Sequence, residues 1–331
     1  MATVGLVVNP QAGRDSRRLV GSAVVSDTYA KRKAGVAVLE GISAIDSRIR
    51  VLTMPDEHGL ASGIVDDAPD GITVDLLDIP VTGTSADARA AGSELANRAD
   101  VIVAFGGDGT VRDLATGIEQ TPLAAISTGT NNVVPTPIDG TVAGVGAALL
   151  ATGDVDTELV TRRHRSVRGR VVEPDRVRTI RGIASLAVID QPFVGTRAIL
   201  HGADVVGGVV SRGSPGETGV TGIAGALGSI SPWEDGGFGF ETAAPDDSPT
   251  TVTAVTLPGV VERIGMADSG RLDVDEPREF EVSEGVVSVD GERELEVTDG
   301  TVRLWPTTDG PRLVDFDALF EQVAAVGALR D

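Results

Sequence analysis

The chain has 331 residues, 41% of them hydrophobic and 23% charged, and it contains no cysteine. That length exceeds what one hydrophobic core usually organises, so two domains are expected; without cysteine there are no disulfides, thiolate metal sites or cysteine nucleophiles. Acidic residues number 49 against 28 basic ones, a net charge of −21, and such a surface lacks the positive footprint that nucleic acid requires.

The basic set is itself skewed: Lys31 and Lys33 are the two lysines, and the other 26 of the 28 are arginine. The acidity is spread along the chain without long blocks of like charge, which reads as a protein adapted to high salt, where screening removes self-repulsion. No apolar run reaches the ~18 residues of a membrane span. The first residues lack the pattern of a signal peptide, so a cytoplasmic protein is expected.

In chain order, Val4–Val8, Arg48–Leu52, Thr73–Leu77, Val101–Phe105 and Leu123–Ile126 read as strands. Helical patterns near Ala30–Ala44, Ala86–Arg98, Val111–Glu119 and Val142–Ala151 alternate with them, with Thr84 or Ser85 available as N-cap for the second. This alternation, with near-continuous Val/Ile/Leu strands, predicts an α/β domain on a parallel sheet covered on both faces. Ligands of such sheets sit at the carboxyl ends of the strands. From about residue 155 the rhythm changes. Arg168–Glu173, Ile183–Ile189, Asp204–Val210, Thr250–Leu257, Arg278–Ser283 and Thr301–Trp305 are strand-length runs separated by Gly, Pro and Asp turns. They predict a mostly antiparallel second domain. Asp315–Leu329 reads as a helix, with Phe316, Leu319, Phe320, Val323 and Val326 at helical spacing. The expected division is 1–155, 156–310, and a helix in 311–331 that docks back on the first domain.

The chemistry concentrates at three strand ends. Val101–Phe105 runs into Gly106-Gly107-Asp108-Gly109-Thr110, after which a helix begins. Glycines let backbone approach an anion closely or adopt positive φ, and a helix start adds N–H groups and a dipole favourable to phosphate. Asp108 beside such a site could accept a proton from an attacking hydroxyl or hold Mg²⁺; in a plain turn it would cap a helix. Ser127-Thr128-Gly129-Thr130-Asn131-Asn132 follows the next strand, and Asn9-Pro10-Gln11-Ala12-Gly13 follows the first. Three polar loops on one sheet edge point to a nucleotide site.

Together these loops resemble the superfamily of NAD kinases and diacylglycerol/sphingosine-type lipid kinases. Thr128–Pro135, Phe193–Ala198 and Gly219–Gly225 bring the likeness closest to the ATP-NAD kinase family that includes the acetoin-catabolism X-like proteins. The resemblance implies an α/β domain plus a β-sandwich-like domain, with ATP and Mg²⁺ bound between them and Asp108 acting on the acceptor hydroxyl. It implies nucleotide contacts from Asn9, Gly13, Gly106, Gly107, Gly109, Thr110, Thr128, Gly129, Thr130, Asn131 and Asn132. It also implies a contribution from Asp290 and Glu292 of Val289-Asp290-Gly291-Glu292, which equally reads as a hairpin turn. The expected activity is phosphorylation of a soluble metabolite, with the 2′-hydroxyl of NAD(H) as the best single acceptor. The alternatives are another small hydroxylated or keto-alcohol metabolite, or a catalytically silent nucleotide sensor. ATP and polyphosphate both suit the donor loops, and a dimer or tetramer is usual for the family.

The acceptor half matches less well. Asn131-Asn132 is only a partial stand-in for the Asn-Glu pair with which NAD kinases grip ribose, and Ser211–Gly225 occupies the place of their substrate loop, with Ser214-Pro215 and Ala224-Gly225 matching but without its tyrosine. Arg162, Arg163, Arg165, Arg168, Arg170, Arg176, Arg178 and Arg181 form a local basic island, suited either to phosphate or to pairing with acidic neighbours. His58, His164 and His201 show no metal-ligand spacing and read as structural.

Overall fold

The computed structural model describes residues 1–12, 26–46, 48–118, 120–129, 132–192 and 202–330. Gly13, Thr130, Asn131, His201 and the stretch Phe193–Ala198 lie outside the described residues. The described chain forms two compact units, one built from residues up to 163 together with those from 311 onward, the other from His164–Gly310.

The first unit carries a seven-stranded sheet. Its parallel part is β3 (Thr73–Leu76), β2 (Arg50–Thr53), β1 (Thr3–Val8), β4 (Val101–Gly106) and β5 (Leu123–Ser127), in that order, and Arg312–Val314 and β6 (Thr161–Arg163) extend it beyond β5. The chain steps outward from β1 through β2 to β3, then returns to β4 on the other side of β1. The order therefore reverses between β1 and β4, which is where doubly wound sheets open a crevice for ligands. Both central strands are buried at every position, which explains why they read as unbroken apolar runs.

Helices cover both faces. Val4, Leu6 and Val8 pack in one cluster with Val38, Leu39 and Ile42 of the helix Thr28–Ile45 and with Ala143 and Ala147 of the helix Gly140–Thr152. Gly5 faces the other way, where a Cβ would lie 3.0 Å from Leu95 of the helix Ser85–Leu95. The helices Thr28–Ile45 and Gly140–Thr152 cross backbone to backbone: a Cβ on Gly144 would lie 2.2 Å from the Val38 carbonyl, and one on Gly41 2.2 Å from that of Thr141. The terminal helix, Phe316–Val326, is capped by Asp315 and buries Phe316, Leu319 and Val323 in the same cluster. Each such side chain contributes roughly 1.5–3 kcal/mol of burial. The short helices Leu60–Asp66 and Thr157–Val160, absent from the sequence reading, carry too few residues to show a period.

The second unit is a nine-stranded, wholly antiparallel sheet. Its strands are β7 (Ser166–Val172), β8 (Val177–Gly182), β9 (Ser185–Ile189), β10 (Val205–Val210), β11 (Gly237–Ala243), β12 (Thr250–Leu257), β13 (Val260–Leu272), β14 (Arg278–Val289) and β15 (Glu292–Thr307). They lie in the order β12-β13-β11-β10-β9-β14-β15-β7-β8. Central β9 is buried on both faces, with Leu186 and Val188 in one apolar cluster and Ala187 and Ile189 in the other. β8, β11 and β13 escape the sequence reading for physical reasons. The first is an arginine-laden edge strand, the second is glycine-rich, and the third lacks a clean alternation.

The expected class, a parallel-sheet α/β domain joined to an antiparallel β domain, is the one observed. Residues 156–163 belong with the first unit, because β6 pairs with Arg312–Val314 there.

Candidate functional site

The carboxyl ends of β1, β4 and β5 meet in one hydrogen-bonded cluster inside the first unit. The helix after β4 spans Asp108–Ala115, so it starts before the Val111 expected from sequence and places Asp108 in its first turn. Gly107 is the N-cap and offers no side-chain cap to the helix N–H groups. Neither Gly106 nor Gly107 has positive φ, contrary to one reason for expecting glycine there. Space is the reason instead. A Cβ on Gly106 would sit 2.4 Å from the Thr110 hydroxyl, and one on Gly107 2.8 Å from Asn132 Oδ1. The two glycines thus form a bare backbone cradle at a helix start, the geometry that receives phosphate oxygens.

Asn9 links the first loop to this helix. Its backbone N–H donates to the Phe105 carbonyl (3.1 Å), and its side-chain Nδ2 donates to Thr110 Oγ1 (2.8 Å). The Gln11 N–H donates to Asn9 Oδ1 (2.9 Å), which closes a turn on the asparagine. Asp108 is buried, 8% exposed. It accepts the Val133 N–H on both oxygens (3.1 Å each) and the Val134 N–H on Oδ1 (2.8 Å). Its carboxylate therefore fixes the loop that follows β5, a job the sequence did not suggest. Asn132 Nδ2 donates to Ser127 Oγ (2.7 Å) and Gly106 O (3.5 Å), and Ser127 Oγ donates to the Gly129 carbonyl (2.6 Å). Thr128 is buried and accepts the Ser26 N–H on its carbonyl (3.0 Å).

Of the residues expected at the site, Asn9, Gly106, Gly107, Asp108, Gly109, Thr110, Thr128, Gly129 and Asn132 fall on this edge. Two contributors were missed. Lys31, 3% exposed, donates from Nζ to the carbonyls of Pro10 (3.0 Å) and Ala12 (2.6 Å). Its one sequence signal is the scarcity of lysine. Asp87, also buried, accepts from the N–H groups of Thr82 and Gly83 and from the Thr82 hydroxyl, which orders the loop after β3. An acidic residue in the first turn after a threonine N-cap is ordinary helix-start vocabulary, so nothing set it apart.

Asp290 and Glu292 belong to the second unit. Asp290 and Gly291 both have positive φ, 49° and 82°, in a two-residue turn with Val289 paired to Glu292. That is the hairpin geometry in which Asp-Gly is favoured. The Asp290 carboxylate accepts three backbone N–H bonds, from Ile183 (3.0 Å), Ala184 (2.8 Å) and Ser185 (3.1 Å), so it ties the hairpin to the start of β9.

Six of the eight arginines of the island sit beside acidic partners. Arg162 lies 3.6 Å from Asp315, Arg165 2.5 Å from Asp235, and Arg168 pairs with Asp309. Arg176 and Arg178 converge on Glu173, whose hydrogen bond from Arg176 outweighs its burial and holds its carboxyl at about 2. Burial pushes Asp309 up, but hydrogen bonds from Ser166 and Thr307 and the charges of Arg181 and Arg168 bring it down to about 2. His164 is fully buried against Trp233, edge to face at 5.5 Å, and desolvation followed by the nearby Arg212 charge lowers it to about 3. Among the described residues, no group of three His, Cys, Asp or Glu side chains is placed to hold a metal ion. Nor is any helix there long and apolar enough to cross a membrane.

Residues 69–139 match the diacylglycerol kinase catalytic domain, and residues 170–309 match the acetoin catabolism protein X C-terminal domain. Acetoin catabolism protein X of Cupriavidus necator is 31% identical over 294 residues, covering 86% of this chain and 81% of that protein. The chain belongs to the acetoin catabolism protein X family. An uncharacterized protein of Archaeoglobus fulgidus is 43% identical over 65 residues, 20% of this chain and 22% of its own length. Yeast NADH kinase, solved in complex with NADH, superposes with a TM-score of 0.54 at 12% identity, covering 100% of this chain and 89% of its own. That likeness establishes a shared kinase-like fold. In this chain, residues 69–139, which match the kinase catalytic domain, contain the whole Gly-Gly-Asp-Gly-Thr turn and the loop after β5.

Proposed function

We propose that the protein transfers the terminal phosphoryl group of ATP to a hydroxyl of a soluble metabolite. The observation that carries this is the uncapped helix start at Gly107, set between β1 and β4 with space for backbone alone. Phosphate oxygens are received there by the N–H groups of the first helical turn, and Asn9 and Thr110 fix the opposing loop. Bound Mg²⁺ would neutralise the phosphate charge, and Asp108 is the carboxylate at this edge able to face it or its water shell. Asp108 is held in place by Val133 and Val134, so it can orient an acceptor hydroxyl without moving. Positioning and charge stabilisation supply most of the rate in such transfers.

NAD(H) is the leading acceptor, by analogy with the NADH that occupies the yeast kinase of the same fold. A small keto-alcohol or polyol is the second reading. It is favoured by the match of residues 170–309 to the acetoin catabolism protein X C-terminal domain, where the expected NAD-kinase substrate loop is incomplete. Turnover with ATP-Mg²⁺ against NAD, NADH and small hydroxylated acceptors, run in molar KCl, tests both. NADP formation that disappears in Asp108→Asn supports the first reading, and transfer only to a small alcohol supports the second. ATP binding with no turnover on any acceptor would refute the kinase assignment in favour of a sensor.

A further inference from the structure

We propose that Lys31 is the positioning residue of the donor-phosphate site, clamping the Asn9–Ala12 turn so that Asn9 holds Thr110. The inference rests on the nucleotide reading of this sheet edge. Lys33, the other lysine, is exposed beside Tyr29, whereas Lys31 is buried two residues earlier in the same helix. Desolvating an ammonium is costly, and the cost is offset only by strong acceptors. Lys31 finds two in the carbonyls of Pro10 and Ala12.

The consequence runs through the turn. With those carbonyls held, the Ala12 N–H donates to the Asn9 carbonyl (3.3 Å) and the Gln11 N–H to Asn9 Oδ1. The asparagine side chain is then oriented with Nδ2 toward the Thr110 hydroxyl, in the first turn of the helix after β4. Residues just ahead of Lys31 tie down the remaining loop, where the Ser26 N–H reaches the Thr128 carbonyl. The entry to the helix Thr28–Ile45 thus braces the loops after β1 and β5 directly, and the loop after β4 through Asn9. Lysine suits the task better than the arginine this chain otherwise uses. Its compact three-donor head meets the two carbonyls from a single atom, whereas a guanidinium is a larger planar group whose donors are fixed in one fork.

The test compares ATP-Mg²⁺ and adenosine binding by calorimetry in the full chain and in Lys31→Met, Asn9→Ala and the double variant. Lys31→Met should weaken ATP by ~10-fold or more while adenosine affinity changes little. Asn9→Ala should add little in the Lys31→Met background, because the two act on one contact. Unchanged ATP affinity in a folded Lys31→Met protein, or full additivity with Asn9→Ala, would overturn the assignment and leave the kinase reading standing. No ATP affinity in the unsubstituted protein would overturn both. Should Lys31→Met not fold, Lys31→Arg replaces it; unchanged ATP affinity there would overturn the clamp, and a partial loss would support it.

Discussion

Replacing Asp108 separates its structural work from its chemical work. The carboxylate accepts the Val133 N–H at 3.1 Å on each oxygen and the Val134 N–H at 2.8 Å, in a setting where the residue is 8% exposed. Hydrogen bonds to a charged acceptor contribute ~1.5–3 kcal/mol, and those to a neutral one ~0.5–1.5 kcal/mol. Asp108→Asn keeps a carbonyl oxygen for Val134 and loses the charge, so it should cost about 1–2 kcal/mol. Asp108→Ala leaves both N–H groups without their acceptor, at ~1–3 kcal/mol each, and should cost roughly 2–6 kcal/mol. Urea unfolding followed by circular dichroism at fixed KCl measures both. Hydrogen exchange at Val133 and Val134 should accelerate in the alanine variant before global unfolding does. An alanine variant within ~0.5 kcal/mol of the parent, the range of ordinary surface changes, would refute the loop-fixing role. If Asp108→Asn retains most of its stability yet loses phosphoryl transfer, the chemical role stands apart from the structural one.

Three further outcomes follow from the same structure. His164 is depressed to about 3 when folded against 6.5 as an ordinary histidine, so the unfolded chain binds the extra proton between those values. Its contribution is complete above pH ~6.5 and falls as pH drops toward 3, by up to ~1.4 kcal/mol per unit; His164→Leu should flatten that part of the stability–pH curve, and an unchanged slope would contradict the burial argument. Gly144→Ala drives a Cβ to 2.2 Å from the Val38 carbonyl and should cost ~2 kcal/mol or more in thermal unfolding, because two helix backbones must separate. Asp290→Ala removes the acceptor of three backbone N–H groups and should destabilise by ~3 kcal/mol or more. Asp290→Asn keeps the residue type tolerated at positive φ and should cost much less in the same denaturant titration.

Much of the first unit was legible because its signals are local. Buried parallel strands must be apolar at every position, so β1, β4 and β5 announce themselves, and glycine beside a strand end marks backbone with no room for a side chain. The terminal helix was legible from the spacing of Phe316, Leu319 and Val323. Six of the nine strands of the antiparallel sheet were legible, and β8, β11 and β13 were not. β8 and β13 earn their strand state from neighbours far along the chain rather than from a pattern of their own.

The Gly-Gly-Asp-Gly-Thr turn with its two flanking loops was determined by sequence, and with it the class of ligand expected at that edge. Tertiary structure decided what each residue there does. Asp108 reaches 25 residues ahead to fix Val133, and Lys31 reaches back 21 residues to hold Pro10. Neither link follows from residue type or spacing. Both arise because a parallel sheet delivers the ends of β1, β4 and β5 to one place, where buried polar groups must find partners.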